Sequence, residues 1–153
     1  MSDGLATQSS NPSYAGDVSV REAWNGLAKD KTAQLVDVRT EAEWNFVGAP
    51  DLSTLSRSAL FCQWQHFPGG GRNSNFVAET EAALARTGYR KGAALYFLCR
   101  SGGRSLAAAI ALTATGYGPC FNLENGFEGV LDDKRHRGGG VGWKAEGLPW
   151  IQS

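Results

Sequence analysis

The chain has 153 residues, a single domain's worth, and its 42% apolar and 20% charged residues are ordinary for a globular protein with a sizeable core. Fifteen Lys and Arg balance fifteen Asp and Glu, so no global field draws the chain to nucleic acid or an anionic membrane surface. Three cysteines without close pairs argue against a disulfide framework or a zinc site, and no apolar run approaches the roughly 20 residues of a membrane helix.

In chain order, residues 1–14 are rich in Ser, Asn and Gln and read as a disordered polar tail. The tail lacks the basic and apolar regions of a signal peptide, so a cytoplasmic location is expected, where a free thiol persists. Val18-Ser19-Val20 opens the fold, and a helix follows through Glu22 to Leu27. Ala33 to Arg39 is apolar enough for a strand inside a sheet. Thr40 then begins a helix as N-cap, three residues before Glu43, the spacing of a capping box; Pro50 closes this unit. A strand is expected within Ser56 to Phe61, then a loop containing Pro68-Gly69-Gly70-Gly71, then a helix from Asn75 to Thr87 closed by Gly88. Ala93 to Leu98 reads as a buried strand and Leu106 to Thr115 as a buried helix stopped by Gly116. Pro119 to Leu123 is a last short strand, and Gly126 to Gly129 turns into a small helix. Residues 138–153 are glycine-rich, yet Trp143, Leu148, Trp150 and Ile151 predict that they pack back on the domain. Strands alternating with helices imply a parallel α/β sheet, whose sites form beyond the carboxyl ends of the strands.

Cys99-Arg100-Ser101-Gly102-Gly103-Arg104-Ser105 lies at such an end, between the apolar strand and the alanine-rich helix. Amide N–H groups lack partners there, and the helix dipole favours negative charge. With two arginines alongside, these surroundings favour a thiolate over a thiol. Gly102 and Gly103 let the backbone turn tightly against the sulfur.

Three segments carry a family resemblance: Leu35 to Trp44 with its Asp37-Val38-Arg39, then Cys99 to Ser105, then Asn122-Leu123-Glu124-Asn125-Gly126-Phe127. On these the chain resembles the rhodanese-like sulfurtransferase domains. The family's usual Gly-His-Ile-x-Gly-Ala is replaced here by Val47-Gly48-Ala49-Pro50-Asp51. The resemblance implies a single α/β domain over 15–153, with a central parallel sheet of about five strands and helices on both faces. It further implies that the amides of Arg100 through Ser105 ring the sulfur of a nucleophilic Cys99. Such a thiolate would take the outer sulfur of thiosulfate or a persulfide as Cys–S–S⁻ and hand it to a thiol or protein acceptor, without cofactor or metal. Arg100 and Arg104 would recruit the anion.

Two alternatives share the loop. Cysteine phosphatases and arsenate reductases also use a cysteine loop, but the phosphatase spacing Cys-x-x-x-x-x-Arg puts its arginine at Ser105, while Arg104 comes one residue early. A rhodanese-like module that only binds a partner is the other; inactive modules usually lose the cysteine, which this chain keeps. Asp37 and Arg39 stand at a strand end where sites form, but read as a structural ion pair or a loop-anchoring bond, and Cys62 and Cys120 as core residues. His66 could line the mouth of the site or simply occupy a surface loop, and Lys134-Arg135-His136-Arg137 is a solvated basic turn.

Overall fold

Alternation along one central strand sets up the whole architecture. In the computed structural model, which describes residues 13–66 and 70–152, the four residues of Leu95–Leu98 are all buried. Leu95 and Phe97 pack into one apolar cluster, Tyr96 and Leu98 into another, as the period of two requires of a strand covered on both faces. This strand, β5, follows β1 (Gly16–Val18), β2 (Gln34–Asp37), β3 (Ala49–Pro50) and β4 (Leu60–Phe61), and precedes β6 (Cys120–Leu123) and β7 (Trp150–Ile151). The five-stranded sheet runs β1-β6-β5-β2-β4, every pair parallel. Strands β3 and β7 form a separate antiparallel pair, Ala49 opposite Ile151 and Pro50 opposite Trp150.

The helices are α1 (Val20–Lys29), α2 (Glu41–Phe46), α3 (Phe76–Ala85) and α4 (Gly103–Ala114). Val20, Ala23 and Leu27 of α1 join Leu35, Tyr96, Leu98 and Leu123 on one side of the sheet. Phe76 and Leu84 of α3 and Ala108, Ala109 and Leu112 of α4 join Val36, Leu95 and Phe97 on the other. The small alanines let α4 lie close over the strands. Capping boxes start both α1, at Ser19 and Glu22, and α2, at Thr40 and Glu43. Trp143, fully buried, and Leu148 belong to the α1-side cluster, and Trp143 Nε1 donates to the Pro149 carbonyl at 2.7 Å. Among the described residues no helix is long and apolar enough to cross a membrane.

Several local expectations are corrected. The segment Gly126 to Gly129 is a turn, not a small helix: Gly126 and Gly129 take positive φ, and the amides of 127–129 donate to the carbonyls of Cys99 and Arg100 instead of to their own preceding turn. The strand expected within Ser56 to Phe61 is confined to Leu60–Phe61, because a 3-10 turn and left-handed Ser56 occupy its start. Helix α2 stops at Phe46, ahead of Pro50, which lies instead in β3. Helix α4 begins at Gly103, three residues earlier than its apolar run suggested, which brings Arg104 and Ser105 into its first turn. The polar tail falls almost entirely outside the described residues, as do Pro68 and Gly69 of the glycine-rich loop.

Candidate active site

Cys99 follows directly on β5, and the chain must then reverse to lay α4 back on the sheet. Gly102 makes that reversal with φ 118°, and a Cβ there would fall 2.7 Å from the Glu124 carbonyl oxygen, so only glycine fits. Beneath the loop, the Phe127 amide donates to the Cys99 carbonyl at 2.8 Å, and those of Glu128 and Gly129 to the Arg100 carbonyl at 3.0 and 3.1 Å. The turn after β6 is thus a platform that clamps the first two residues of the loop.

A small pocket of about 190 Å³ is lined by Cys99, Arg100, Ser101, Gly103 and Arg104. Among the loop amides, that of Gly102 donates to Sγ at 3.1 Å. Ser105 Oγ lies 3.2 Å from Sγ. Ser105 is itself held: its hydroxyl donates to Asn122 Oδ1 at 2.5 Å, and Asn122 Nδ2 donates to Asp17 Oδ1 at 3.0 Å. Because an ionised carboxylate only accepts, Asp17 dictates which end of the Asn122 amide faces Ser105. Tyr14 donates to the same Asp17 oxygen at 3.0 Å, completing a chain from the sulfur to the sheet edge. Burial, then the hydrogen bond to Asp17, pushes the Tyr14 phenol up from its ordinary value.

Arg104 is held by Glu43, with Nη1 and Nη2 at 2.7 and 2.9 Å from the two carboxylate oxygens. Burial works to raise the Glu43 carboxyl, but the Arg104 hydrogen bonds and charge, with the Thr40 backbone and hydroxyl, outweigh it and bring the group down to about 2. The same contact raises Arg104. Arg100 is exposed, and among the described residues no carboxylate pairs with it. Asp37 and Arg39 sit behind the loop, fully buried and paired at 2.7 Å; Arg39 also donates to the Gly48 carbonyl and lies over the Phe127 ring at 4.2 Å. This pair fixes the residues that carry the platform and has no exposed atom with which to meet a substrate.

Cys62 and Cys120 are buried, and burial pushes both thiols up from the ordinary value. His66 lines a larger cleft of about 490 Å³ that adjoins the sulfur pocket through Arg100 and Arg104. Among the described residues no three His, Cys, Asp or Glu side chains gather as metal ligands would. Sequence reasoning singled out the loop but missed what holds it. In the sequence Glu43 reads as a helix cap and Asn122 as part of a strand, both within segments of the family resemblance, and Asp17 carries no signal. Nothing local marks these partnerships, which span 61, 17 and 105 residues of chain.

A parallel sheet of order β1-β6-β5-β2-β4 with a cysteine loop between its central strand and α4 defines a rhodanese-like domain. A family model described as the STR4 middle domain matches residues 15–153, and the chain belongs to that rhodanese-like family. An uncharacterized protein of Rickettsia rickettsii, the RP600 homolog, is 39% identical over 129 residues, covering 84% of this chain and 91% of that one. The chloroplastic rhodanese-like domain-containing protein 4 of Arabidopsis thaliana is 25% identical over 92% of this chain, but only 27% of its own length is matched. Among solved structures, Rv0390 from M. tuberculosis superposes with a TM-score of 0.82 at 46% identity, covering 92% of this chain and 99% of that one. The polysulfide-sulfur transferase of Wolinella succinogenes shares the fold, with a TM-score of 0.56 at 21% identity over 92% of this chain and 80% of that one.

Proposed function

We propose that the protein transfers sulfane sulfur through a persulfide on Cys99. The observation that carries this reading is the small pocket at Cys99, about 190 Å³, where the Gly102 amide donates to Sγ at 3.1 Å. A polar donor and an α-helix N-terminus next to a sulfur stabilise anionic charge on it, first as thiolate and then as the terminal atom of Cys–S–S⁻. The thiolate attacks the outer sulfur of a sulfane compound, and the leaving group departs with the electrons of the broken S–S bond. Attack by an acceptor thiolate on the outer sulfur then returns Cys99 to its starting state. Arg100, exposed at the rim, is the cation that meets an incoming anion.

Phosphoryl chemistry is less well served. The position where cysteine phosphatases carry their phosphate-gripping arginine is Ser105, fully buried and donating to Asn122. Arg104, one residue earlier, points to Glu43. The test is to incubate the protein with thiosulfate and other sulfane compounds and record the intact mass. Gain of one sulfur atom, absent in Cys99→Ser, is the expected result. No adduct from any of them, or aryl phosphate hydrolysis that disappears in Cys99→Ser, overturns the proposal.

A further inference from the structure

The two arginines of the loop are not equivalent, and the difference bears on which sulfur donor the site accepts. Arg104 spends both terminal nitrogens on Glu43, in a pair whose side chains are one-fifth exposed, whereas Arg100 stands unpaired among the described residues. Against the Glu43 carboxylate and the attacking Cys99 thiolate, the two guanidinium charges leave no net positive charge to hold a dianion at the junction of the sulfur pocket and the larger cleft. That cleft, about 490 Å³, is of the size that holds a small organic molecule. Part of its wall is apolar: Ala42, Phe46 and Val47 of α2 and the residue after it line it, and Phe46 is 78% exposed. A bare dianion gains nothing from that wall and meets the Glu43 carboxylate as well. A monoanion with an apolar body meets less repulsion and gains from the surface.

We infer that the cleft selects a sulfane donor with one negative charge on an apolar body, of the organic thiosulfonate class, over the small dianion thiosulfate, and that Glu43 sets this choice by holding Arg104. The inference rests on the sulfur-transfer reading above. With a thiosulfonate, Cys–S⁻ and RSO₂–S⁻ become Cys–S–S⁻ and RSO₂⁻. One S–S bond forms, one breaks, and the sulfinate leaves with the electron pair. Two negative charges stand on each side, and no outside oxidant or reductant is needed. Thiosulfate follows the same course and releases sulfite.

The experiment compares benzenethiosulfonate with thiosulfate at one fixed pH of about 8. The wild-type protein is expected to show the higher kcat/KM with benzenethiosulfonate. In Glu43→Gln the cap of α2 survives, since glutamine serves equally at that position, but the carboxylate is gone. Removing one negative charge acts twice on a dianion, so a gain of about threefold for benzenethiosulfonate becomes about tenfold for thiosulfate, carried by KM. Phe46→Ala, at an exposed position, lowers the benzenethiosulfonate-to-thiosulfate ratio by about fivefold, also through KM. A wild-type preference for thiosulfate overturns the inference, as does a Glu43→Gln variant that moves both donors by one factor, or a Phe46→Ala variant with an unchanged ratio. The intact mass separates the two readings. If neither donor loads sulfur on Cys99, sulfur transfer itself falls; loading without the selectivity removes only the assignment of Glu43 and the cleft.

Discussion

Replacing Glu43 by glutamine isolates the energy of the pair that holds Arg104. Its carboxyl stands at about 2 instead of 4.5, a displacement equivalent to about 3 kcal/mol of preference for the ionised form in the folded chain. The pair is one-fifth exposed and water screens it, so about 1–2 kcal/mol of stability is the realistic share. A carboxyl lowered on folding stabilises fully above its unfolded value, and the contribution drains away as pH falls from about 4.5 toward 2. Glu43→Gln imitates the protonated side chain at every pH while keeping the capping oxygen for Thr40. Urea unfolding of the two proteins at neutral pH is therefore expected to differ by about 1–2 kcal/mol. Repeated at successively lower pH, the two stabilities converge across the window between 4.5 and about 2. A gap that stays constant down to the lowest pH refutes the electrostatic reasoning and assigns the loss to packing or capping.

Three other perturbations probe the scaffold of the loop. Gly126→Ala needs a left-handed backbone at φ 60° and sets a Cβ 2.5 Å from the Cys99 carbonyl oxygen; it is expected to cost more than about 2 kcal/mol and to slow sulfur loading, and wild-type behaviour in both measurements refutes the platform role. Ser105→Ala strips Asn122 Oδ1 of its donor inside the protein, so a loss of about 1–3 kcal/mol is expected in denaturant unfolding, and a change below about 0.5 kcal/mol contradicts the hydrogen-bond chain. Trp143→Ala removes a fully buried indole, with an expected loss of about 3–5 kcal/mol; a near-neutral result shows that residues 138–153 add little to the domain.

Much of this architecture is legible in local residues. The apolar run before Cys99, the alanines after it and the spacing of Thr40 to Glu43 each act within one strand, one helix or one turn. The Ser19 to Glu22 capping box has the same local spacing at the start of α1. Errors fell where local signals compete with distant partners. Gly126 to Gly129 has helix-compatible residues at its centre, yet its amides are drawn to the loop after β5. The pairing of Ala49-Pro50 with Trp150-Ile151 joins segments about a hundred residues apart, and neither carries a strand signal of its own.

Sequence alone determined the parallel α/β class and the place of the Cys99 loop between strand and helix, because burial period, glycine turns and a cysteine before a helix are written within a few residues. Only the tertiary structure decided the charge of the site. Arg104 reads from the sequence as a second anion recruiter, and the fold instead joins it to Glu43, which α2 delivers from 61 residues upstream. Likewise Ser105 reads as one more loop residue until β6 places Asn122 against its hydroxyl and β1 places Asp17 against Asn122. Coulomb energies and hydrogen bonds depend on distance in space, and no spacing along the chain reveals which opposite charge or acceptor the packing will bring near.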